Sequence, residues 1–468
     1  MHAYLRHEVG QVVSDATLER FCHDSVANQR WLESHGVRFG ATMPDHKTSY
    51  PPEGKFLYYS GNEMVPAYGQ HLPPGQKPAP RGHRVVAKGQ SGATFFAALQ
   101  KATLQVGAQT LLQASVRRLV CEQNADGSPG RVLGVEVWHM PAGDARTAQH
   151  ARLHEDYRRH RTFRAGKAMA CLNEAARLER EAAQPRLVRA LQGVVLSTGG
   201  YIFNPELIAQ HAPHIRKSWP IGDAGCDGSG LRLGHSVRAA SAELHNISSW
   251  RFITPPAVWP KGVVVNRAGE RFCNEQVYGA TLGHELVEHQ GGKAWLILDG
   301  TLRRQATFQC LFGKLWAFQS LPALAMMWLK AVKAPNAQAL AARIGADPAK
   351  LEASIASANA AAQGAGEDAF GKSADMRHAL QGPLLALDIS MGNPLFPLAT
   401  LSLGGLRVDE DSGQVLDATG QAIPGLYAAG RTAIGLASRR YISGLSLADC
   451  VFSGRRAGRA AAQAPASE

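Results

Sequence analysis

GVVLSTGGY, residues 193–201, is a short apolar run that ends on paired glycines. Its length and its valines predict a short, fully buried strand. A strand of that kind running into Gly199 and Gly200 brings its backbone close to another body, in a parallel sheet usually a cofactor. Thr198, Gly199 and Gly200 are therefore candidate cofactor contacts, and the strand points to an α/β fold.

Composition agrees. A chain of 468 residues suits about two or three domains, and 45% hydrophobic with 19% charged residues reads as globular. The 48 glycines exceed the ordinary share of about 7% and often fall in pairs. The formal charge is +12, and residues 151–190 alone hold ten Arg/Lys against five Asp/Glu. That segment reads as a solvated helical face. The basic residues are not gathered in one stripe interleaved with aromatics, which argues against nucleic acid.

Seven cysteines, Cys22, Cys121, Cys171, Cys226, Cys273, Cys310 and Cys450, are odd in number and include no C-x-x-C pair. They predict reduced thiols in a cytoplasmic protein, with neither zinc nor a disulfide framework. Eighteen histidines form no H-E-x-x-H, so no metal is expected, and no G-x-S-x-G marks a hydrolase. MHAYLRHEVG carries charges where a signal peptide has its apolar core. Leu315–Leu329 has 15 uncharged residues interrupted by Pro322, too short to span a bilayer. It predicts a buried helix pair or the wall of an apolar pocket.

Along the chain, a helix opens at Tyr4 and Leu5, and a second, Thr17–Ser34, is expected to be capped by Asp15. Residues 44–80, rich in Pro, Gly and Tyr, read as a surface loop able to cover a site. A helix over 92–106 leads into QASVRRLVCEQ and RVLGVEVWHM, a β-hairpin. Residues 151–191 read as a charged helical insert. Helices are expected near 336–344 and 348–362, the latter with Asp347 as N-cap and Pro348 at its first position. Short strands follow in LGGLRVDEDSGQVLDATGQAIPGLYAAG, and a last helix starts at Leu445. DGSGLRLG, residues 227–234, mimics a dinucleotide fingerprint without a preceding buried strand; Asp227 or Ser229 would cap a helix there.

The order of strand, glycine pair and late GLYAAGR is that of a flavoprotein. The chain resembles the FAD-dependent 3-ketosteroid dehydrogenases of the fumarate reductase flavoprotein superfamily, and in RTAIGLASRRYISGLSLADCVFSGRRAGR it is most similar to the 3-oxo-5α-steroid 4-dehydrogenase branch, which has Y-x-S-G. The likeness extends through STGGYIFNPEL, GDAGCDGSGLRLG, NRAGERFCNEQVYG and GGLRVDEDSG, and is looser between Gly291 and Leu380.

The resemblance implies FAD and desaturation beside a ring ketone, with a small apolar substrate and an external electron acceptor. Such chemistry stabilises an enolate-like oxygen, removes an α-proton and passes a hydride from the adjacent carbon to the flavin. Tyr441 could donate to the oxyanion together with the Gly444 N–H, and Ser443 would stand on the same side as Tyr441 to help move the proton. The plainer alternatives are a packed aromatic at Tyr441 and a helix cap at Ser443. By resemblance Tyr278 lies near substrate. Ser446 and Leu447 face the flavin from the helix N-terminus, Val116 offers its backbone to adenine, and Asp227, Gly430 and Arg431 lie near the cofactor. Arg431 stands where the superfamily has glutamate.

The expected fold is a Rossmann-like FAD-binding domain, residues 1–250 and 400–468, with an α+β substrate domain inserted at 251–399. A flavoprotein of this kind opens with strand, G-x-G-x-x-G and helix, and these residues contain no such unit. The expectation is a missing N-terminal βαβ fragment, whose absence would bare a strand edge beside GVVLSTGGY. Two alternatives stand beside the steroid reading. One is fumarate or succinate chemistry, with Arg439 and Arg440 clamping carboxylates. The other is a flavin-free remnant without activity.

Overall fold

The computed structural model describes residues 1–69, 72, 75–161 and 164–466. Positions 70, 71, 73 and 74 of the expected loop, and 162 and 163 of the expected insert, lie outside the described residues.

Helices α1 (His2–Val9) and α2 (Asp15–Ser34) come first. The cap of α2 is Ser14 in place of Asp15: its Oγ accepts the Thr17 N–H at 3.2 Å, which leaves Asp15 in the first turn, where its charge suits the helix dipole. The segment after α2 carries the short antiparallel pair β1 (Leu57–Tyr58) and β2 (Gly82–His83). It is more than a surface loop, because Tyr58, Ser60, Asn62, Glu63 and Val65 are buried. Helix α3 (Gly92–Gln105) then leads to the expected hairpin, β3 (Ala114–Gln123) and β4 (Pro129–His139). The charged insert is two helices, α4 (Ala145–His160) and α5 (Ala165–Ala182). It ends sooner than expected, since β5 (Gln184–Arg189) pairs antiparallel with β4.

Strand β6 (Val194–Leu196) precedes α6 (Pro205–His211), β7 (Trp219–Pro220), α7 (Ser229–His235), β8 (Ser241–Ala242) and β9 (Ile247–Trp250). The middle of the chain supplies β10 (Val263–Asn266), α8 (Gly279–His284), β11 (Ala294–Asp299), α9 (Gly300–Phe312) and α10 (Ala317–Ala325). It continues with β12 (Val332–Ala334), α11 (Ala337–Ile344), α12 (Pro348–Ala362) and β13 (Leu384–Asp388). Asp347 caps α12 as its position predicts, accepting from the Ala349 and Lys350 N–H groups at 2.9 and 3.0 Å. The chain closes with β14 (Ala399–Ser402), β15 (Gly405–Leu406), β16 (Gln414–Leu416), β17 (Ala422–Ala428) and α13 (Leu445–Gln463).

Three sheets place the site. An antiparallel sheet in the order β10-β11-β13-β12 forms the middle of the molecule, and every residue of β11 is buried. A sheet in the order β7-β14-β9 ties the returning chain to the first part. In the third, β16-β17-β6, β17 pairs parallel with β6 through Leu426↔Val194 and Ala428↔Leu196.

Two expectations need correction. Among the described residues β6 has a neighbour on one edge alone, so Val195 is 36% exposed and only Leu196 is buried. Leu315–Leu329 is not a buried pair: Pro322 sits inside α10, and Phe318, Leu321, Trp328 and Leu329 face outward while Ala323, Met326 and Met327 pack inward.

A buried ion cluster stiffens the middle. The Arg271 guanidinium donates to Glu275 at 2.8 Å and to Asp368 at 2.6 Å, and Lys372 Nζ lies 2.7 Å from Glu275. The partners satisfy one another, as buried charges must.

Candidate active site

The last helix organises the centre. Gly444 caps α13 in the left-handed conformation, φ 85°, which glycine adopts without steric cost. The sharp turn presents Tyr441, Ser443 and the Gly444 N–H together. Tyr441 packs against the indole of Trp250, ring centroids 4.9 Å apart, and the backbone of Gly444, three residues on, opposes the effect of burial on its phenol. The two proposed oxyanion donors are thus neighbours. Burial pushes the Tyr441 phenol up to about 12, so it holds its proton at neutral pH and can donate.

Ser443 is not the helix cap. Its Oγ lies 2.8 Å from the Tyr58 hydroxyl, and Ser443 also acts on the Tyr278 phenol, pulling it down against the effect of burial. Tyr278 precedes α8 and its ring meets Phe252 edge-on at 5.7 Å. Burial raises the phenols of Tyr58 and Tyr278 as well. The site therefore holds three protonated tyrosines, two of them beside one serine.

Sequence reasoning missed Tyr58. It sits in KFLYYSGNE, and the only signal was a Tyr-rich loop able to cover a site. Its placement depends on the hydrogen bonds of the segment behind it. Glu63 accepts the Ser60 and Gly61 N–H groups, both at 2.6 Å. Asn62 Oδ1 accepts the Tyr278 N–H at 2.6 Å, and Asn62 Nδ2 donates to Glu8 of α1 at 2.8 Å. The Ser443 N–H donates to the Ser60 carbonyl at 3.2 Å. Lys47 from the same segment donates to the Gln276 carbonyl at 2.6 Å, and burial pulls its amine down to about 8 against the pull of Glu63 and Glu8.

The candidate cofactor residues fall into a second group. Thr198 Oγ1 accepts the Gly230 N–H of α7 at 3.1 Å and lies 3.3 Å from Thr432 Oγ1. This joins the end of β6, α7 and the stretch after β17. Gly199 (φ 80°) and Gly430 (φ 59°) are left-handed turns, and a Cβ on Gly200 would strike Ser402 Oγ. Asp227 Oδ1 accepts the Ser229 N–H at 2.9 Å, but the cap of α7 is Gly228, in place of the expected Asp227 or Ser229, because the left-handed turn that starts the helix suits glycine. Val116 lies in edge strand β3, opposite Val137 of β4. The neighbouring Arg117 carbonyl accepts from Arg232 of α7 at 3.0 Å. Ser446 is buried and Leu447 is 58% exposed at the open end of α13.

These residues fit a flavin nucleotide. Arg431 Nη2 lies 3.1 Å from Cys226 Sγ, while its buried Nη1 has no protein partner; an anionic or carbonyl group of a ligand would satisfy that donor. A Cβ on Gly444 would meet no atom within 4 Å, so the N-terminus of α13 opens onto free space where its amides can receive a ring edge. The two arginines of the dicarboxylate alternative do not converge on that space. Arg439 is exposed and lies over Gly10, and Arg440 acts on the Tyr68 phenol from the neighbourhood of Glu8.

Fold and site together define a flavoprotein oxidoreductase. Residues 1–447 match the FAD binding domain family, and the chain belongs to it; its cofactor is FAD. The chain is 55% identical to a 3-oxo-5-alpha-steroid 4-dehydrogenase of Comamonas testosteroni, covering 92% of this chain and 80% of that one. Among solved structures, the 3-ketosteroid-delta4-(5alpha)-dehydrogenase of Rhodococcus jostii RHA1, in complex with 4-androstene-3,17-dione, superposes with a TM-score of 0.79. It is 24% identical, with 99% of this chain and 83% of that chain covered. The 3-ketosteroid delta1-dehydrogenase of Sterolibacterium denitrificans superposes with a TM-score of 0.62 at 18% identity, covering 98% and 88%. At these identities the two structures speak for the fold, which is that of the fumarate reductase flavoproteins.

Proposed function

We propose that the protein desaturates a 3-ketosteroid ring beside its ketone. The carrying observation is the Tyr58 hydroxyl 2.8 Å from Ser443 Oγ, on the turn before α13 that also carries Tyr441 and Gly444. The identity with the Comamonas testosteroni enzyme supports the same substrate class.

The ketone oxygen takes the place between Tyr441 and Gly444 and accepts from both, so that charge developing on it is stabilised by donors already aimed there. The α-proton passes to Ser443 Oγ as the serine gives its own proton to the Tyr58 oxygen, and the Tyr58 hydroxyl proton leaves to solvent, with Tyr278 close by. Bound FAD would supply the hydride acceptor for the adjacent carbon, with an external acceptor for its electrons. Thr198, Gly199, Gly200, Gly430, Arg431, Ser446 and Leu447 would hold the flavin, with Val116 and Asp227 toward its nucleotide end.

The two-domain division at 251 and 399 belongs to this reading, as does a cytoplasmic location. So does a further strand, from outside these residues, on the open edge of β6 to complete the pyrophosphate cradle. Two assays test the proposal. Turnover of a saturated 3-ketosteroid with an artificial electron acceptor is expected, with succinate giving none. Flavin content of residues 1–468 is expected to be low, rising to stoichiometric in an upstream-extended chain; full occupancy in the shorter chain would remove the extra strand from the account.

A further inference from the structure

Helices α9 and α10 are apolar on two faces. Their inner faces bury Leu302, Ala306, Cys310 and Ala323 in the core. Their outer surface, with the wide turn Met326–Lys330, exposes Phe308 (64%), Leu311, Phe312 (67%), Leu321, Trp328 and Leu329 (78%). These form one surface. The Phe308 and Phe312 rings lie 4.9 Å apart, Trp328 Nε1 donates to Thr307 of α9 at 3.0 Å, and the Arg303 guanidinium sits 4.4 Å over the Trp328 ring. Large apolar side chains clustered in solvent mark an interaction surface.

Charge selects the partner. Between Asp299 and Asp347 the chain has no acidic residue but carries Arg303, Arg304, Lys314, Lys330, Lys333 and Arg343. Lys314, two residues after Phe312, and Lys330, next to Leu329, are exposed, and so is Lys333 of β12. A second copy seated on this face would set these cations against their own kind. A surface of anionic headgroups would be complementary, and Trp, Phe and Leu flanked by Lys and Arg is the composition of an element lying in a bilayer interface. Among the described residues no helix is long and apolar enough to cross a membrane, so the contact would be one of lying on the surface.

We propose that α9, α10 and the following turn form a seat for an anionic phospholipid bilayer. Phe308, Phe312 and Leu329 enter the headgroup layer and Lys314, Lys330 and Lys333 pair with phosphates. The proposal rests on this surface and not on the reaction.

The test is co-sedimentation of the full chain with vesicles of phosphatidylcholine, alone and with about one third phosphatidylglycerol. The expected result is binding to the anionic vesicles that weakens as salt rises. Phe308→Ser with Phe312→Ser and Leu329→Ser should lower the partition at least about tenfold, and Lys314→Glu with Lys330→Glu about tenfold or more, each cation counting roughly fivefold. The charge pair lies on the exposed surface, so it keeps the test decisive should the apolar triple fail to fold. Absence of binding by the unmodified chain, or wild-type binding by the charge variant, would overturn the proposal. So would a dimer in lipid-free solution that the Lys→Glu pair abolishes, which would make a second copy the occupant.

Discussion

The Tyr58 hydroxyl and Ser443 Oγ lie 2.8 Å apart, although 385 positions separate the two residues in the chain. That contact closes the site, because it fastens the segment carrying Ser60, Asn62 and Glu63 to the turn in front of α13. If the pair works as one proton relay, Tyr58→Phe and Ser443→Ala should each lower the rate of steroid desaturation by about a hundredfold. The double variant should lose little more, because members of one relay are not additive. Steady-state kinetics of the three variants check this; fully additive losses would mean separate roles.

Tyr441 has the other task. Tyr441→Phe removes a donor that acts on charge present only in the transition state, so kcat should fall by about a hundredfold or more while KM changes little. The Phe ring would keep the packing on Trp250, and far-ultraviolet circular dichroism should be unchanged.

Burial raises the phenols of Tyr58, Tyr278 and Tyr441. Near neutrality each is protonated, and the relay must lose a proton to act as a base. The desaturation rate should therefore climb from neutral pH toward about pH 10. The climb should be lost in Ser443→Ala, which a pH–rate profile reads directly.

Asp449 of α13 is buried, and burial lifts its carboxyl to about 6, opposed by Arg456. A carboxyl with a raised folded-state value binds more protons folded than unfolded, so stability falls as pH rises from about 4 through 6. The cost at pH 8 is on the order of 3 kcal/mol. Asp449→Asn should recover most of it at pH 8 and almost none at pH 4, as denaturant midpoints at the two values will show.

In the middle sheet, Asp368→Asn would leave Arg271 short of a buried counter-charge. The expected loss is about 3–5 kcal/mol of stability, measured by denaturant unfolding, with the tyrosine site unchanged in the molecules that remain folded.

How much of this was legible in the sequence differs from residue to residue. Asp347 before Pro348, the hairpin of β3 and β4, and the start of α13 follow from local rules of capping, alternation and turn chemistry, and local rules need only neighbours. Tyr441, Ser443 and Gly444 entered as candidates through the family resemblance, because their residue types alone fit a packed aromatic and a helix cap equally well. Tyr58 was not legible, since its role depends on contacts with Ser443 and on Asn62 holding Tyr278, all remote in sequence. The cap of α2 went to Ser14 because two residues competed for one position. Leu315–Leu329 reads as core by hydropathy, and no local rule can say that one of its faces meets no other element.

The central claim is that a 3-ketosteroid gives its hydride to FAD in this protein, and the most direct measurement is anaerobic flavin absorption after mixing the FAD-loaded protein with a saturated 3-ketosteroid. The account predicts loss of the oxidised flavin's visible band with the steroid, none with succinate, and at least about a hundredfold slower loss in Tyr441→Phe. A flavin that stays oxidised with 3-ketosteroids and bleaches with succinate would contradict it.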